Sequence, residues 1–495
     1  MRSSDVLKYR TEAATQRKPS FSATAEGREA VRSSAEPRPV LFVAYNFPPN
    51  VDMGANTCAQ IARYLPMYGW KPIVLTVEED FIEEKYLGHG GGKIDEEFGS
   101  VVRAKMLPHP LDIYRRLKSF SLIGKLMQRN DPQAHPSDPA SGSVTINSGI
   151  AARNTLLTLL SLPDIYTGWI IPAVLAGIRA AGQNEARVIF SSAPFFTVHL
   201  AACALSLLTG LPWVAHFRDP WVTGRLTGYF TSEQFIRISG ALERMVLTRA
   251  QKVICVTEEH AELLRSAYPK LPPSKFVVVR NGFDGVEWDR AVASAAIPED
   301  EAGRPEKFRI TYAGKLYMKR SPVSVFRALR TLIDAGEIRR EDAQVELIGW
   351  CESSDGHSVA DLISEAGLED CVEMAGLLSH SDTLRRLSQS NLQLLLAEEL
   401  TTQIPGKTYE YLKTGRPILA LTRAGAVATL LRQTGGSWVV DPDDQDGVTE
   451  AIRECYRTWK HGLPGRAPDA SLVESFDRRK TTGQIADALN SIALK

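Results

Sequence analysis

Short apolar runs alternate along this chain with stretches whose apolar residues recur at helical spacing. Val40 to Ala44 is an apolar run of strand length, followed by a polar, Pro-containing loop to Gly54. Ala59, Ile61, Ala62, Tyr64 and Leu65 then fall on one helical face before Gly69, and Pro72 to Val77 is the next strand-like run. Strand, helix, strand in that order seeds a parallel sheet. The rhythm resumes with a strand at Val188 to Ser191, a buried helix at Thr197 to Leu208 and a strand at Trp213 to Phe217. A helix around Ala241 to Arg249 and strands at Lys252 to Val256 and Phe276 to Val279 follow. A second series begins with a strand at Arg309 to Ala313 and an amphipathic helix at Val323 to Leu332. Its further strands are Val345 to Ile348, Val372 to Met374, Leu392 to Leu396, Ile418 to Leu421 and Trp438 to Val440. An amphipathic helix from about Ser475 to Ile492 ends it.

The pattern predicts two doubly wound α/β halves. Open parallel sheets bind ligands beyond the carboxyl ends of their strands, so a cleft between the halves is the expected site. Residues 1–36, polar and without apolar period, fit a disordered tail. Residues 37–290 form the first expected domain and 307–470 the second. The acidic, Ala-rich stretch 285–306 reads as the linker, and the last helix, within 471–495, is free to pack back toward the first domain.

Length agrees with two cores, since 495 residues exceed one. A formal net charge of zero argues against nucleic acid as a partner. Six scattered cysteines without metal-ligand spacing fit free thiols in a reducing cytoplasm. Val188 to Ala215 lacks any charged residue and is long enough to span a bilayer, yet its Pro194 and Gly210-Leu211-Pro212 break it into strand, helix and strand. Residues 112–129 carry five basic residues among large apolar ones. Such a stretch fits a helix on an anionic membrane surface and equally a helix packed on its own domain.

The densest candidate chemistry lies at Gln403-Ile404-Pro405-Gly406-Lys407-Thr408-Tyr409-Glu410. A loop bent by Pro and Gly leads into a short helix whose first turn carries Lys407 and Glu410 on one face. Free amides at a helix start and a lysine suit phosphate, and a carboxyl group one turn on can accept hydrogen bonds from sugar hydroxyls. A solvated Lys–Glu pair is the bland alternative.

Several blocks in order resemble the GT-B fold glycosyltransferases, specifically the retaining, nucleotide-sugar-dependent family 4 group. They are Tyr45-Asn46-Phe47-Pro48-Pro49 with Gly54, Gly168-Trp169 with Pro172, Ser191-Ser192-Ala193-Pro194, Phe217-Arg218-Asp219-Pro220-Trp221, Val256-Thr257-Glu258 and Arg280-Asn281-Gly282-Phe283. Tyr312-Ala313-Gly314 with Arg320, and Gly406 to Leu412 with Gly415-Arg416-Pro417, complete the series across roughly residues 38–490. The resemblance implies two Rossmann-like domains, a nucleoside-diphosphate sugar on the second and a glycan or lipid-linked hydroxyl acceptor on the first. It implies Glu410 at the donor ribose and Arg320 on the diphosphate. Lys407 supports that charge, and Gly314 and Lys315 belong to the same donor loop. Gly54 and Asn281 would serve the site from the first domain, with tight packing the other use of Gly54.

Two departures from the family pattern stand out. Arg218 replaces the histidine of a His–Asp pair, leaving Asp219, Arg218 and His216 as candidates for the acceptor-side chemistry, or Arg218 and Asp219 as a brace for the following turn. Thr402 stands where the family's two-glutamate motif has its first acid, with Glu398 and Glu399 out of register. His199 on an apolar helix reads as a core histidine, and Asp441-Pro442-Asp443 as a surface turn. Neither a metal nor another cofactor is expected. The resulting expectation is a retaining glycosyltransferase of surface polysaccharide or glycolipid assembly, cytoplasmic or at the inner face of the plasma membrane. A nucleotide-sugar epimerase, which needs no acceptor, and a non-catalytic nucleotide-sugar-binding subunit are the alternatives.

Overall fold

The computed structural model describes residues 36–83, 98–109, 162–223, 233–293, 307–316, 319–398 and 400–493. The basic stretch 112–129, the tail up to residue 35 and residues 294–306 of the expected linker lie outside them.

The first lobe is built on strands β1 (Arg38–Val43), β2 (Trp70–Val77), β3 (Val101–Ala104), β4 (Val188–Ala193), β5 (Trp213–Phe217), β6 (Lys252–Cys255) and β7 (Phe276–Val278). They pair in parallel in the order β3-β2-β1-β4-β5-β6-β7. Successive β1 residues point to opposite faces, and both faces are buried. Leu41 and Val43 enter one core with Ile73, Leu75 and Ile189, while Val40 and Phe42 enter another with Trp70, Val74 and Phe190. Helix α1 (Met53–Tyr64) covers the second face. Helices α2 (Ile170–Gln183), α3 (Thr197–Thr209), α4 (Glu233–Arg249) and α5 (Glu258–Ala267) contribute to the first. The uncharged run from Val188 to Ala215 therefore resolves into β4, α3 and β5, and no helix among the described residues is long and apolar enough to cross a membrane.

Helix α6 (Gly285–Val292) corrects one expectation, because the stretch 285–306 reads as linker from its first residue. Asp284 caps this helix by accepting from the Val286 and Glu287 amides, and Trp288 and Ala291 pack on Leu384 of the second lobe. Eight residues make barely two turns, too short for a clear period.

The second lobe contains β8 (Phe308–Ala313), helix α7 (Val323–Asp334), β9 (Ala343–Ile348), the two-residue hairpin strands β10 (Ser353–Ser354) and β11 (His357–Ser358), and helix α8 (Val359–Glu365). It continues through β12 (Val372–Gly376), α9 (His380–Ser388), β13 (Leu392–Leu396), α10 (Lys407–Lys413), β14 (Ile418–Leu421), α11 (Ala426–Thr434), β15 (Ser437–Val440) and α12 (Gln445–Lys460). Its parallel sheet runs β12-β9-β8-β13-β14-β15. In both sheets the strand order reverses beside the first strand, between β1 and β4 and between β8 and β13.

After α13 (Ala470–Glu474) the chain returns to the first lobe as α14 (Arg478–Ala493). Ile485, Ala486, Leu489 and Ile492 join the core of Val40, Phe42 and Trp70, and Trp70 Nε1 donates to Asn490 Oδ1 at 3.1 Å. Outgoing residues 282–283 cross returning residues 476–478 at the lobe boundary. The Phe283 amide donates to the Phe476 carbonyl at 3.2 Å and the Arg478 amide to the Phe283 carbonyl at 2.8 Å. A Cβ on Gly282 would lie 1.8 Å from the Phe476 oxygen.

Overpacking at backbone rather than at a flexible side chain leaves no cheap relaxation. Gly282→Ala is expected to destabilise the protein by about 3 kcal/mol. Gly240→Ala, in α4 with nothing within 4 Å of the added methyl, should stabilise it by about 0.5–1 kcal/mol. Chemical-denaturant midpoints of the two variants check both signs.

Candidate functional site

A cleft of about 860 Å³ lies between the lobes. Its wall includes Asn46 and Pro194, beyond the ends of β1 and β4, and Ala397 and Glu398, beyond the end of β13. Both strand-order reversals therefore open into one space, the position that sheet topology favours for a ligand.

On the first-lobe side, the loop after β1 is held by its own polar residues. Asn46 Nδ2 donates to Asp52 Oδ2 at 2.6 Å, and Asp52 Oδ1 caps α1 by accepting from the Ala55 amide at 2.6 Å. Gly54, in the first turn of α1, lines the cleft, and a Cβ there would come within 3.0 Å of the Arg218 guanidinium. Arg218 donates to three carbonyls: Gly54 at 2.9 Å, Pro194 at 3.1 Å and Ala193 at 3.3 Å. It clamps the loops after β1 and β4 together. Asp219 lines the cleft, and its Oδ1 accepts from Gln403 Nε2 of the opposite lobe at 2.5 Å. A second contact across the gap, Thr257 Oγ1 to the Thr402 carbonyl at 2.6 Å, is buried.

His216 lies elsewhere. It is buried within β5, pairs with Ser192 Oγ through Nδ1 at 3.2 Å, stacks on Phe190 and is absent from the cleft wall. Burial, with the nearby Arg218 charge, holds its pKa well below the ordinary histidine range. The structure thus separates His216 from Asp219, although the two are three positions apart: a strand interior turns one side chain into the sheet while the loop beyond frees the other. His199 is also interior, paired with Ser191, with burial pushing its pKa down to about 3.

On the second-lobe side, Arg320, Gly406 and Glu410 line the cleft. Lys407 does not face it directly. Its Nζ donates to the Ala313 carbonyl at 2.9 Å, sits 3.9 Å from the Tyr312 ring centroid, and lies 3.0 Å from the position a Cβ on Gly314 would take. Gly314 has φ +137°, a region that favours glycine, and carries the chain over the lysine. Burial first, and the Arg320 charge second, pull the Lys407 pKa down to about 7. Lys315 points outward, its Nζ 6.0 Å from the Trp350 ring centroid. The expected free amides at the start of α10 need correction, since the Thr408 and Tyr409 amides donate to the Pro405 and Gly406 carbonyls at 3.0 and 3.1 Å. Asn281 lines the cleft with a buried Oδ1 that has no partner among the described residues.

Sequence reasoning missed several groups. Tyr166 and Phe195 form an aromatic wall, ring centroids 4.0 Å apart. Arg478 reaches the cleft from the start of α14, donating to Gln60 at 3.1 Å and to the Gly282 carbonyl at 3.0 Å. His380 joins Glu410 to Glu287. Each depends on segments far apart in the chain, and Glu287, three residues after the cap Asp284, carries only the local signature of a helix start. Asp441 and Asp443 both pair with Arg423 on an exposed turn. Among the described residues no group of three His, Cys, Asp or Glu side chains is arranged to hold a metal ion.

Residues 149–285 match the sequence profile of Glycosyltransferase Family 4, and residues 307–458 that of Glycosyl transferases group 1. Alpha-maltose-1-phosphate synthase of Mycolicibacterium smegmatis is 31% identical over 175 residues, covering 34% of this chain and 40% of that protein. Anabaena HepE in complex with UDP superimposes with a TM-score of 0.57 at 15% identity, over 91% of this chain and 99% of the other. Sucrose-phosphate synthase of Thermosynechococcus elongatus gives 0.53 at 15% identity, over 92% and 96%. With one profile on each lobe, two facing Rossmann-like sheets and a shared cleft at their strand-order reversals, the chain belongs to the GT-B glycosyltransferases of the family 4 type.

Proposed function

We propose that the chain is a retaining, metal-independent glycosyltransferase that moves a sugar from a nucleoside diphosphate to a hydroxyl acceptor. The observation that carries this reading is the common cleft wall of Arg320, Glu410 and Asp219, two from one lobe and one from the other. Negative charge grows on the departing nucleoside diphosphate as the glycosidic bond breaks. Arg320 stabilises that charge at the cleft surface, and Lys407 supplies a second cation from beneath the Gly314 loop. Glu410 accepts hydrogen bonds from the donor ribose. The orphaned Asn281 Oδ1 accepts a further ligand hydroxyl, since a buried carbonyl without a partner favours one.

Asp219 orients the acceptor hydroxyl and receives its proton once Gln403 gives way. Tyr166 and Phe195 offer the acceptor an apolar face. Arg218 and His216 then serve the loops and the sheet that hold this side, and Lys315 lies at the rim. We assign the acceptor to a glycan or a lipid-linked glycan of surface polysaccharide or glycolipid assembly, met at the cytoplasmic face of the membrane. The UDP bound by the Anabaena neighbour supports a nucleoside diphosphate at this cleft.

A panel of UDP-, ADP- and GDP-sugars screened by thermal shift and then by turnover tests the assignment, because a ligand that binds only the folded form raises its stability. Glu410→Ala should raise the donor KM by roughly 10–100-fold, the loss of charge-assisted hydrogen bonds worth about 1.5–3 kcal/mol. Unchanged donor kinetics would remove Glu410 from the site.

Lys407 predicts a pH dependence. A base whose pKa is depressed to about 7 is largely neutral above that pH, whereas a bound diphosphate favours its ammonium form. Binding therefore takes up a proton, and nucleoside-diphosphate affinity should weaken as pH rises from 7 to 9. Lys407→Met should flatten the slope. Calorimetry in two buffers of different ionisation heat measures the proton uptake directly.

A further inference from the structure

His380 is the first residue of α9, behind the cap Ser379. Its imidazole lies between two carboxyl groups from different elements. Nδ1 is 2.7 Å from Glu287 Oε1 on α6, and Nε2 is 2.9 Å from Glu410 Oε1 on α10. A neutral imidazole has one N–H and one lone pair, so it can donate to only one of two ionised carboxylates. The imidazolium donates to both. Among the described residues Glu410 Oε2 takes no hydrogen bond, while Oε1 is held by His380.

We propose that His380 is a positioning residue of the donor site: it fixes the Glu410 carboxyl through Oε1, is itself held by Glu287, and leaves Oε2 for the paired hydroxyls of a nucleoside-diphosphate ribose. This rests on the assignment of Glu410 to the donor. The charged groups around the bridge agree with it. Burial alone would lower the His380 pKa, but Glu287 and Glu410 outweigh it and raise the value to about 10. The Glu287 pKa is lowered, by the His380 hydrogen bond first and with Arg63 and Arg290 adding positive charge. On α9 itself, Arg385 pairs with Asp382, and Arg386 pairs with Glu346 on β9. On the far side of Glu410, Lys407 and Arg320 belong to the diphosphate end of the cleft.

A carboxyl group locked before the nucleotide arrives loses little rotamer freedom on binding. The bridge also joins the lobes. Asp284, the cap of α6, accepts from Tyr64 Oη on α1 at 2.7 Å, so the first lobe anchors the helix whose Glu287 holds His380. The donor ribose is therefore gripped by a carboxyl group whose support begins outside the donor lobe.

The sign of the pH effect follows. A histidine with a raised pKa keeps its bridge below its ordinary value of about 6.5 and loses it only as pH rises through the raised one. In the wild type, His380 stays charged from pH 6 to 9. Glu287→Gln, nearly isosteric and at a half-exposed position, removes one of the two carboxylates and lets the histidine titrate nearer neutrality.

The test titrates UDP, ADP and GDP separately into the full-length protein between pH 6 and 9 and follows the tightest. The ratio of Glu287→Gln to wild-type Kd at each pH cancels the Lys407 contribution common to both. That ratio should rise by about threefold to tenfold across the range, and a flat ratio near one overturns the proposal. His380→Asn should raise the donor KM about tenfold with kcat within about threefold, and His380→Arg, which retains a cation, should recover most of the loss. Equal losses in kcat and KM in both His380 variants, with lowered thermal midpoints, would mark a structural role and also overturn it. Glu410→Ala separates the two claims. If it leaves nucleotide binding intact, the donor assignment itself fails. If it weakens binding while the Glu287 and His380 variants do not, only the positioning role fails.

Discussion

The geometry of the cleft depends on the paired crossing at the lobe boundary, where residues 282–283 leave the first lobe and 476–478 return to it. The contact is backbone on backbone, with the Phe476 carbonyl lying where any side chain on residue 282 would stand. Two hydrogen bonds fasten it, and the residues on either side of them are functional candidates. Asn281 precedes the outgoing strand of the crossing and Asp284 ends it, while Arg478 closes the return. Small displacements here would move the unpaired Asn281 carbonyl, the α6 cap and the Arg478 guanidinium together. A site assembled from two lobes needs such a rigid joint, because its ligand-binding groups have no common element to hold their spacing.

Charge within the cleft comes from both lobes. Arg218 and Arg478 donate to backbone carbonyls and to Gln60, which fixes them as struts with positive character. Arg320 and Lys407 lie near enough to repel each other, and burial adds to the pressure on the lysine to lose its proton. Two cations held close together favour an anion between them. On the other side of the proposed nucleotide seat the arrangement inverts, with one imidazole between two carboxyl groups. Cations thus gather at one end and paired carboxyl groups at the other, an arrangement that suits the proposed nucleoside diphosphate.

Much of the fold was legible in the chain because the central strands of both sheets are buried on both faces. Their strands are therefore plain apolar runs, and β13 and β14 fall on the runs Leu392 to Leu396 and Ile418 to Leu421 themselves. The short strand β3 and the helix α6 were not legible: four residues in one case and barely two turns in the other give no clear period. The ordered blocks led to Arg320, Glu410, Asp219, Gly54 and Asn281, all of which line the cleft. The side-chain directions did not follow from those blocks. Lys407 turns under the Gly314 loop, Lys315 turns outward, and His216 turns into the sheet, because each direction is set by neighbours distant in sequence. Glu287 and His380 lay beyond reach for the same reason, 93 positions apart and joined only by the fold.

The placement of α14 bears on how the protein is made. One face of the first lobe's sheet, including Val40, Phe42 and Trp70, is closed by Ile485, Ala486 and Leu489. Those residues leave the ribosome hundreds of positions after the strands they cover. Throughout synthesis of the second lobe, that face of the first is covered by α1 but not by α14, and its remaining greasy surface is exposed to aggregation. The largest core of the second lobe draws only on residues 308–459 and can close before the last helix is made, so the half of the enzyme translated first is the half that matures last.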